Sequence, residues 1–111
     1  MAGAADSERS GKAFLKPRVS FEQVVRVVED AKDEEWALFA ERHGDWGRDL
    51  AFYVARRHSG LTLAEIGEAA GGVDARAVGQ AVSRFGKRLA KDKSLNKIAE
   101  ECLRELSNVK L

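Results

Sequence analysis

The chain has 111 residues, 44% of them hydrophobic and 33% charged, which allows one globular domain with a modest core and no second one. It holds no run of ~18 apolar residues and no apolar signal core, so neither a membrane span nor a secretory leader is expected. A single cysteine, Cys102, excludes an internal disulfide and points to a cytoplasmic setting.

Residues 1–19 are small, polar and unpatterned, carry the only proline, Pro17, and read as a flexible arm or linker ahead of a domain at 20–111. Ser20-x-x-Gln23 is a capping box, and Phe21, Val24, Val25 and Val28 follow at helical spacing. Asp33 is expected to cap a short second helix with Trp36, Phe39 and Ala40, its first turn acidic at Glu34 and Glu35. A third helix is expected over Gly47 to His58, with Leu50, Tyr53 and Val54 inward and Gly60 as a left-handed stop. Thr62-x-x-Glu65 is a second capping box, opening a helix with Leu63, Ile66 and Ala70 inward that ends at Gly71-Gly72. Asp74 can cap the next helix, about 75–91, whose stripe is Val78, Ala81, Val82, Phe85 and Leu89. Ser94 is read as the cap of the last helix, with Leu95, Ile98, Ala99, Cys102, Leu103 and Leu106 on one face. No period of two and no Asn-Gly hairpin occurs, so the expected fold is all-α, a small bundle of about six helices.

The net charge of +1 conceals an asymmetry. Residues 20–45 carry three basic against eight acidic side chains, whereas 48–93 carry nine basic against five acidic. Catalytic readings fare poorly against these residues. A phosphate loop needs its glycines after a strand, with Lys-Ser/Thr following; here a capped helix precedes Gly71 and Val73-Asp74 follows. His43 and His58 lie in different helices, and no third ligand is spaced with His43-x-Asp45, so no metal or cofactor is expected. Cys102 and Tyr53 fall among apolar neighbours and read as packing residues, and no enzymatic activity is expected.

What survives is a helix-turn-helix: two short amphipathic helices, a glycine turn, and a second helix with a polar, basic outer face. Arg76, Gln80 and Arg84 form a row at i, i+4 and i+8, flanked by Ala77, Gly79 and Ser83. Arg and Gln can bond guanine and adenine edges in a major groove. Gly79 lowers helix propensity by about 1 kcal/mol, and the small pair Ala77 and Gly79 suggests close approach of the helix backbone to bases.

The run RDLAFYVARRHSGLTLAEIGEAAGGVDARAVGQAVSRF (Arg48–Phe85) resembles the C-terminal DNA-binding domain of the bacterial replication initiator DnaA. The likeness rests on Arg-x-x-Ala, Leu-x-x-Ile-Gly, and Gly-Gly-x-Asp-x-x-x-Val with Ala three residues on. A related domain ends the REP-associated tyrosine transposases, and the closing Leu106 to Lys110 looks more like those tails. The resemblance implies a fold of the Trp-repressor and DnaA C-terminal kind and binding to double-stranded DNA. It implies that Arg48 enters a minor groove and that Arg56, Arg57 and Thr62 touch phosphates; on the basic helix itself, Lys87 and Arg88 are expected to add phosphate contacts. The family signature Arg-Asp-His-Thr-Thr-Val, with His two residues later, is here Val73 to Val78 followed by Gln80; Asp74 and Val78 are kept and the base-reading residues differ. The expected base readers are therefore Arg76, Ala77, Gln80, Ser83 and Arg84, aimed at a target other than the initiator's. No counterpart of an ATPase module or of a transposase His-hydrophobic-His motif is present, which fits an accessory DNA-binding part of a transposase-related protein, nucleoid-associated in the cytoplasm. A free-standing transcriptional regulator is one alternative. A protein-interaction module using the acidic helices of 20–45, with Trp36 and Trp46, is another.

Overall fold

The Ser20 capping box forms as its spacing requires: Ser20 Oγ accepts from the Gln23 N–H at 3.1 Å, and Gln23 Oε1 accepts from the Ser20 N–H at 2.8 Å. In the computed structural model, which describes residues 19–107, this box opens α1 (Phe21–Lys32). It is followed by α2 (Trp36–Phe39), α3 (Gly47–His58), α4 (Leu63–Ala69), α5 (Ala75–Leu89) and α6 (Lys93–Ser107). The protein is all-α, six helices around one core, and no strand occurs among the described residues. The arm at 1–18 and the tail at 108–111 lie outside the described residues. Val19, assigned to the arm from its sequence, is buried in the core beside Phe21.

Two expected caps are corrected. Asp33 does not start α2; it ends α1 in the left-handed region (φ 57°), its own N–H bonded to the Glu29 carbonyl. The free Trp36 N–H is met instead by Glu29 Oε2 at 2.7 Å, from one helix earlier. Ser94 lies inside α6, and it is Asp92 whose Oδ1 accepts from the Leu95 N–H at 3.0 Å. In both cases an acidic residue two or more positions away offered the better-placed acceptor, a choice the one-letter pattern leaves open.

α3 is the centre, packed by α1, α5 and α6. It therefore buries more than one stripe: Leu50, Ala51, Phe52, Val54 and Ala55 are all fully buried, and Tyr53 half-buried. A helix covered on several sides loses its single-face signature. At its C-terminal end, Ser59 Oγ donates to the Ala55 carbonyl at 2.6 Å, and Gly60 adopts φ +75° to lead into α4.

The corner before α3 is held by a charged knot whose inner pair, Lys32 and Asp45, is buried. Lys32 Nζ, with its side chain 6% exposed, lies 2.9 Å from Asp45 and 3.4 Å from Glu34. Arg42 bridges the same two carboxylates at 2.8 Å each. The ammonium also sits 4.2 Å from the Trp46 ring centre and 4.9 Å from that of Phe39. Asp45 Oδ1 accepts from the Gly47 N–H at 2.7 Å, so the knot fixes where α3 begins. Trp46 and Trp36 are thus engaged in packing: Trp36 meets Phe21 and Phe39 edge-on.

Candidate nucleic-acid interface

The Thr62 box forms, with Thr62 Oγ1 accepting from the Glu65 N–H at 3.1 Å and Glu65 Oε1 accepting from the Thr62 N–H at 2.8 Å. α4 then buries Ile66 and Gly67 and stops in a Schellman turn: the Gly71 N–H donates to the Glu68 carbonyl at 3.1 Å and the Gly72 N–H to that of Gly67 at 3.0 Å. Both glycines have positive φ, +107° and +99°. The Val73 N–H also donates to the Gly67 carbonyl, at 2.8 Å, so the chain folds back across α4 at that residue. A Cβ on Gly67 would run into the Val73 carbonyl oxygen. Asp74 then opens α5 by accepting from the Arg76 N–H at 3.2 Å. Gly67 closes the Leu-x-x-Ile-Gly run of the sequence, but that run gives it no structural role; the close approach of Val73 supplies one.

α5 buries Val78, Ala81 and Phe85 and leaves Arg76, Gln80, Ser83, Arg84, Lys87 and Arg88 exposed. In its 15 residues there are four cations and no carboxylate. The helix ends at Leu89, two residues before the expected limit, and Ala77 is half-buried at the margin of the outer face. The expectation for Gly79 is corrected: the position where its Cβ would stand faces Leu63 Cδ1 of α4 at 3.1 Å. That side of α5 is turned to α4, and a methyl there would need only the tip of Leu63 to give by a few tenths of an ångström.

The other candidate residues form two groups along α3. Near its start, Arg48 lies 5.6 Å from the Phe52 ring centre and, with Arg42, His43, Arg84 and Arg88, lines a cleft of about 480 Å³ that Asp45 and Asp49 also enter. At its far end, Arg57 sits over Tyr53 at 5.5 Å, and the same ring meets Phe85 of α5. Arg56 donates to the Leu61 carbonyl at 3.2 Å, beside the Thr62 cap. By the helix rise the two groups are roughly 12 Å apart. Of the α5 cations, Arg84 alone has an acidic partner among the described residues: its Nε and Nη2 donate to Asp49 of α3 at 3.1–3.2 Å. Arg76, Lys87 and Arg88 make no side-chain ion pair among the described residues.

The groups considered for chemistry are placed as follows. Cys102 is buried, and burial first, with Glu105 and Glu101 adding, pushes its thiol up to about 12, which suits a packing residue. His58 Nε2 is 3.2 Å from Ser107 Oγ, and His43 lies exposed in the loop before α3. No three His, Cys, Asp or Glu side chains gather in metal-binding geometry among the described residues, and no helix there is long and apolar enough to cross a membrane.

The fold and this surface define a six-helix all-α domain that presents one carboxylate-free basic helix after a hydrogen-bonded glycine turn. No family model, curated protein or solved structure matches the chain.

Proposed function

We propose that the protein binds double-stranded DNA sequence-specifically, with α4 and α5 as a helix-turn-helix and α5 as the helix that enters the major groove. The observation that carries this reading is the outer face of α5, where Arg76, Gln80, Ser83 and Arg84 lie exposed on a helix with four cations and no carboxylate. Arg56, Arg57, Thr62, Lys87 and Arg88 are assigned to phosphates, and Arg48, at the opening of α3, to the adjacent minor groove. Backbone contacts supply most of the affinity and the α5 row the selectivity. In this reading the chain is a DnaA C-terminal-like, non-catalytic DNA-binding part of a transposase-related protein, associated with the nucleoid, or a free-standing regulator.

The test is binding to a random duplex pool, followed by titration with salt. Arg76→Ala is expected to cost about 1–3 kcal/mol on the selected site and to relax one base, whereas Lys87→Ala weakens all sequences evenly and lowers the salt slope by about 1. Equal losses on every sequence for both variants refute base reading by Arg76.

One observation favours a second reading, a protein-binding face on the acidic side. Leu38 is 60% exposed, the one large hydrophobic side chain so exposed among the described residues. It borders a shallow groove with Glu29, Asp30, Asp33, Glu34 and Glu35. Failure to bind any duplex at ~50 mM salt, where nonspecific affinity survives, decides for that reading.

A further inference from the structure

We infer that Asp49 is a positioning residue for base reading: it clamps the Arg84 guanidinium in one plane so that its free end meets a single guanine. This rests on the DNA-binding reading of α5. Asp49 is built into the scaffold, in the first turn of the central helix α3 and with its side chain only 15% exposed, while the Arg84 side chain is 61% exposed. The two residues are 35 positions apart, so the contact belongs to the tertiary fold and not to a helix face.

The geometry of the contact matters. Arg84 Nε donates to Asp49 Oδ2 at 3.2 Å, and Nη2 donates to Oδ1 at 3.2 Å and Oδ2 at 3.1 Å. The carboxylate therefore occupies the Nε–Nη2 edge. Nη1 makes no hydrogen bond among the described residues, which leaves the Nη1–Nη2 end, the edge that can straddle O6 and N7 of guanine.

The three remaining α5 cations are not clamped in this way by any described residue. A cation free to swing suits a phosphate, whose position is the same at every base pair. A guanidinium whose torsional freedom is already lost on folding suits a base edge, because that entropy is not lost again on binding. The carboxylate also opposes nearby phosphates, so Asp49 is expected to lower affinity for DNA in general while raising discrimination at one base. A purely architectural carboxylate has no reason to move these two quantities in opposite directions.

The experiment compares the unaltered 111-residue chain with Asp49→Asn and Arg84→Lys. Each is used to select sites from a random duplex pool, then titrated against the wild-type site and its single-base variants. Arg84→Lys keeps the charge and removes the fork, and it is expected to erase preference at one guanine by roughly 5- to 100-fold. Asp49→Asn is expected to lose about 3- to 10-fold at that same guanine while random-sequence DNA binds as tightly as before or about twofold tighter. Nitrogen-15 spectra of the free protein should show a slowly exchanging Arg84 Nε–H in the wild type and a fast one in Asp49→Asn. Loss of preference at a different base, unchanged preference, or sharper discrimination in Asp49→Asn overturns the proposal, as does weakening that is uniform across all duplexes. A wild-type protein that binds no duplex overturns the DNA reading itself, and that outcome is visible without either variant.

Discussion

Gly67→Ala isolates the contact on which the orientation of α5 depends. The added methyl meets the Val73 carbonyl oxygen, a backbone atom, and Val78 Cγ2 at 3.3 Å. Neither neighbour can swing aside, because Val73 is tied to the Gly67 carbonyl at 2.8 Å and Val78 is fully buried. Overpacking of this kind costs about 1–3 kcal/mol. Moving the turn away also weakens the Gly72 and Val73 N–H bonds to the Gly67 carbonyl, at about 1 kcal/mol each. Against these stands a gain of about 1 kcal/mol in helix propensity, since Gly67 lies within α4 and its φ is not positive. The net expectation is a loss of about 3 kcal/mol, or a fall of about 12–24 °C in the melting temperature of a domain this size. Thermal unfolding followed by far-ultraviolet circular dichroism measures it. Gly71→Ala serves as a control, with open space around it but φ +107°, and is expected to lose about 1–3 kcal/mol of backbone strain without any clash. A Gly67→Ala protein that melts at or above the wild-type temperature refutes the packing of the turn across α4.

Gly79→Ala is expected to behave in the opposite sense. The new methyl meets only the flexible tip of Leu63, so the propensity gain of up to about 1 kcal/mol prevails, the melting point holds or rises, and the proposed DNA binding is unchanged. Loss of DNA binding in a stable Gly79→Ala protein would restore the idea that bases approach this backbone. The Lys32 knot makes stability sensitive to acid. The Arg42 hydrogen bond, opposed by partial burial and helped by Lys32, holds Glu34 below its ordinary 4.5. Burial pushes Asp45 up, but the Gly47 N–H, Lys32 and Arg42 outweigh it and hold the group below 3.8. Carboxyls depressed in the folded state contribute stability that is complete above their ordinary values and lost as pH falls through the depressed ones. Stability should therefore decline below about pH 4, and Asp45→Asn should flatten that decline while costing about 3 kcal/mol at neutral pH, since it strips a buried ammonium of its nearest partner. Equal slopes in denaturant titrations of the two proteins across the acid range would exclude this account.

The sequence carried local information well. Both capping boxes and the Asp74 cap could be read because each joins residues two or three positions apart through a fixed backbone geometry. The stripe of α5 was legible for the same reason: a helix with one covered face keeps its period. Legibility failed where several acceptors competed for one N–H. Glu29 takes the Trp36 N–H from seven residues away, which freed Asp33 to turn left-handed and end α1. It failed again in α3, whose coverage by α1, α5 and α6 buries residues on several sides.

The candidate site divides along the same line. Which side chains of α5 face outward follows from its stripe, and the sequence supplies that. What each outward side chain is free to do depends on contacts that span tens of residues. Arg76 and Arg84 are alike in the sequence row, yet only Arg84 is fixed by a carboxylate 35 positions earlier. Gly79 illustrates the converse, a small residue that seemed to make room for DNA but faces Leu63. The turn therefore has a second consequence besides aiming α5. By seating α5 against α3 and α4 at once, it determines which outward residues are mobile and which are held. If α5 binds DNA as proposed, a change at Gly67 should thus disturb the Asp49–Arg84 pair and base preference before it disturbs the diffuse attraction of Lys87 and Arg88 for phosphates, because a clamp of about 3 Å tolerates less displacement than a screened charge does.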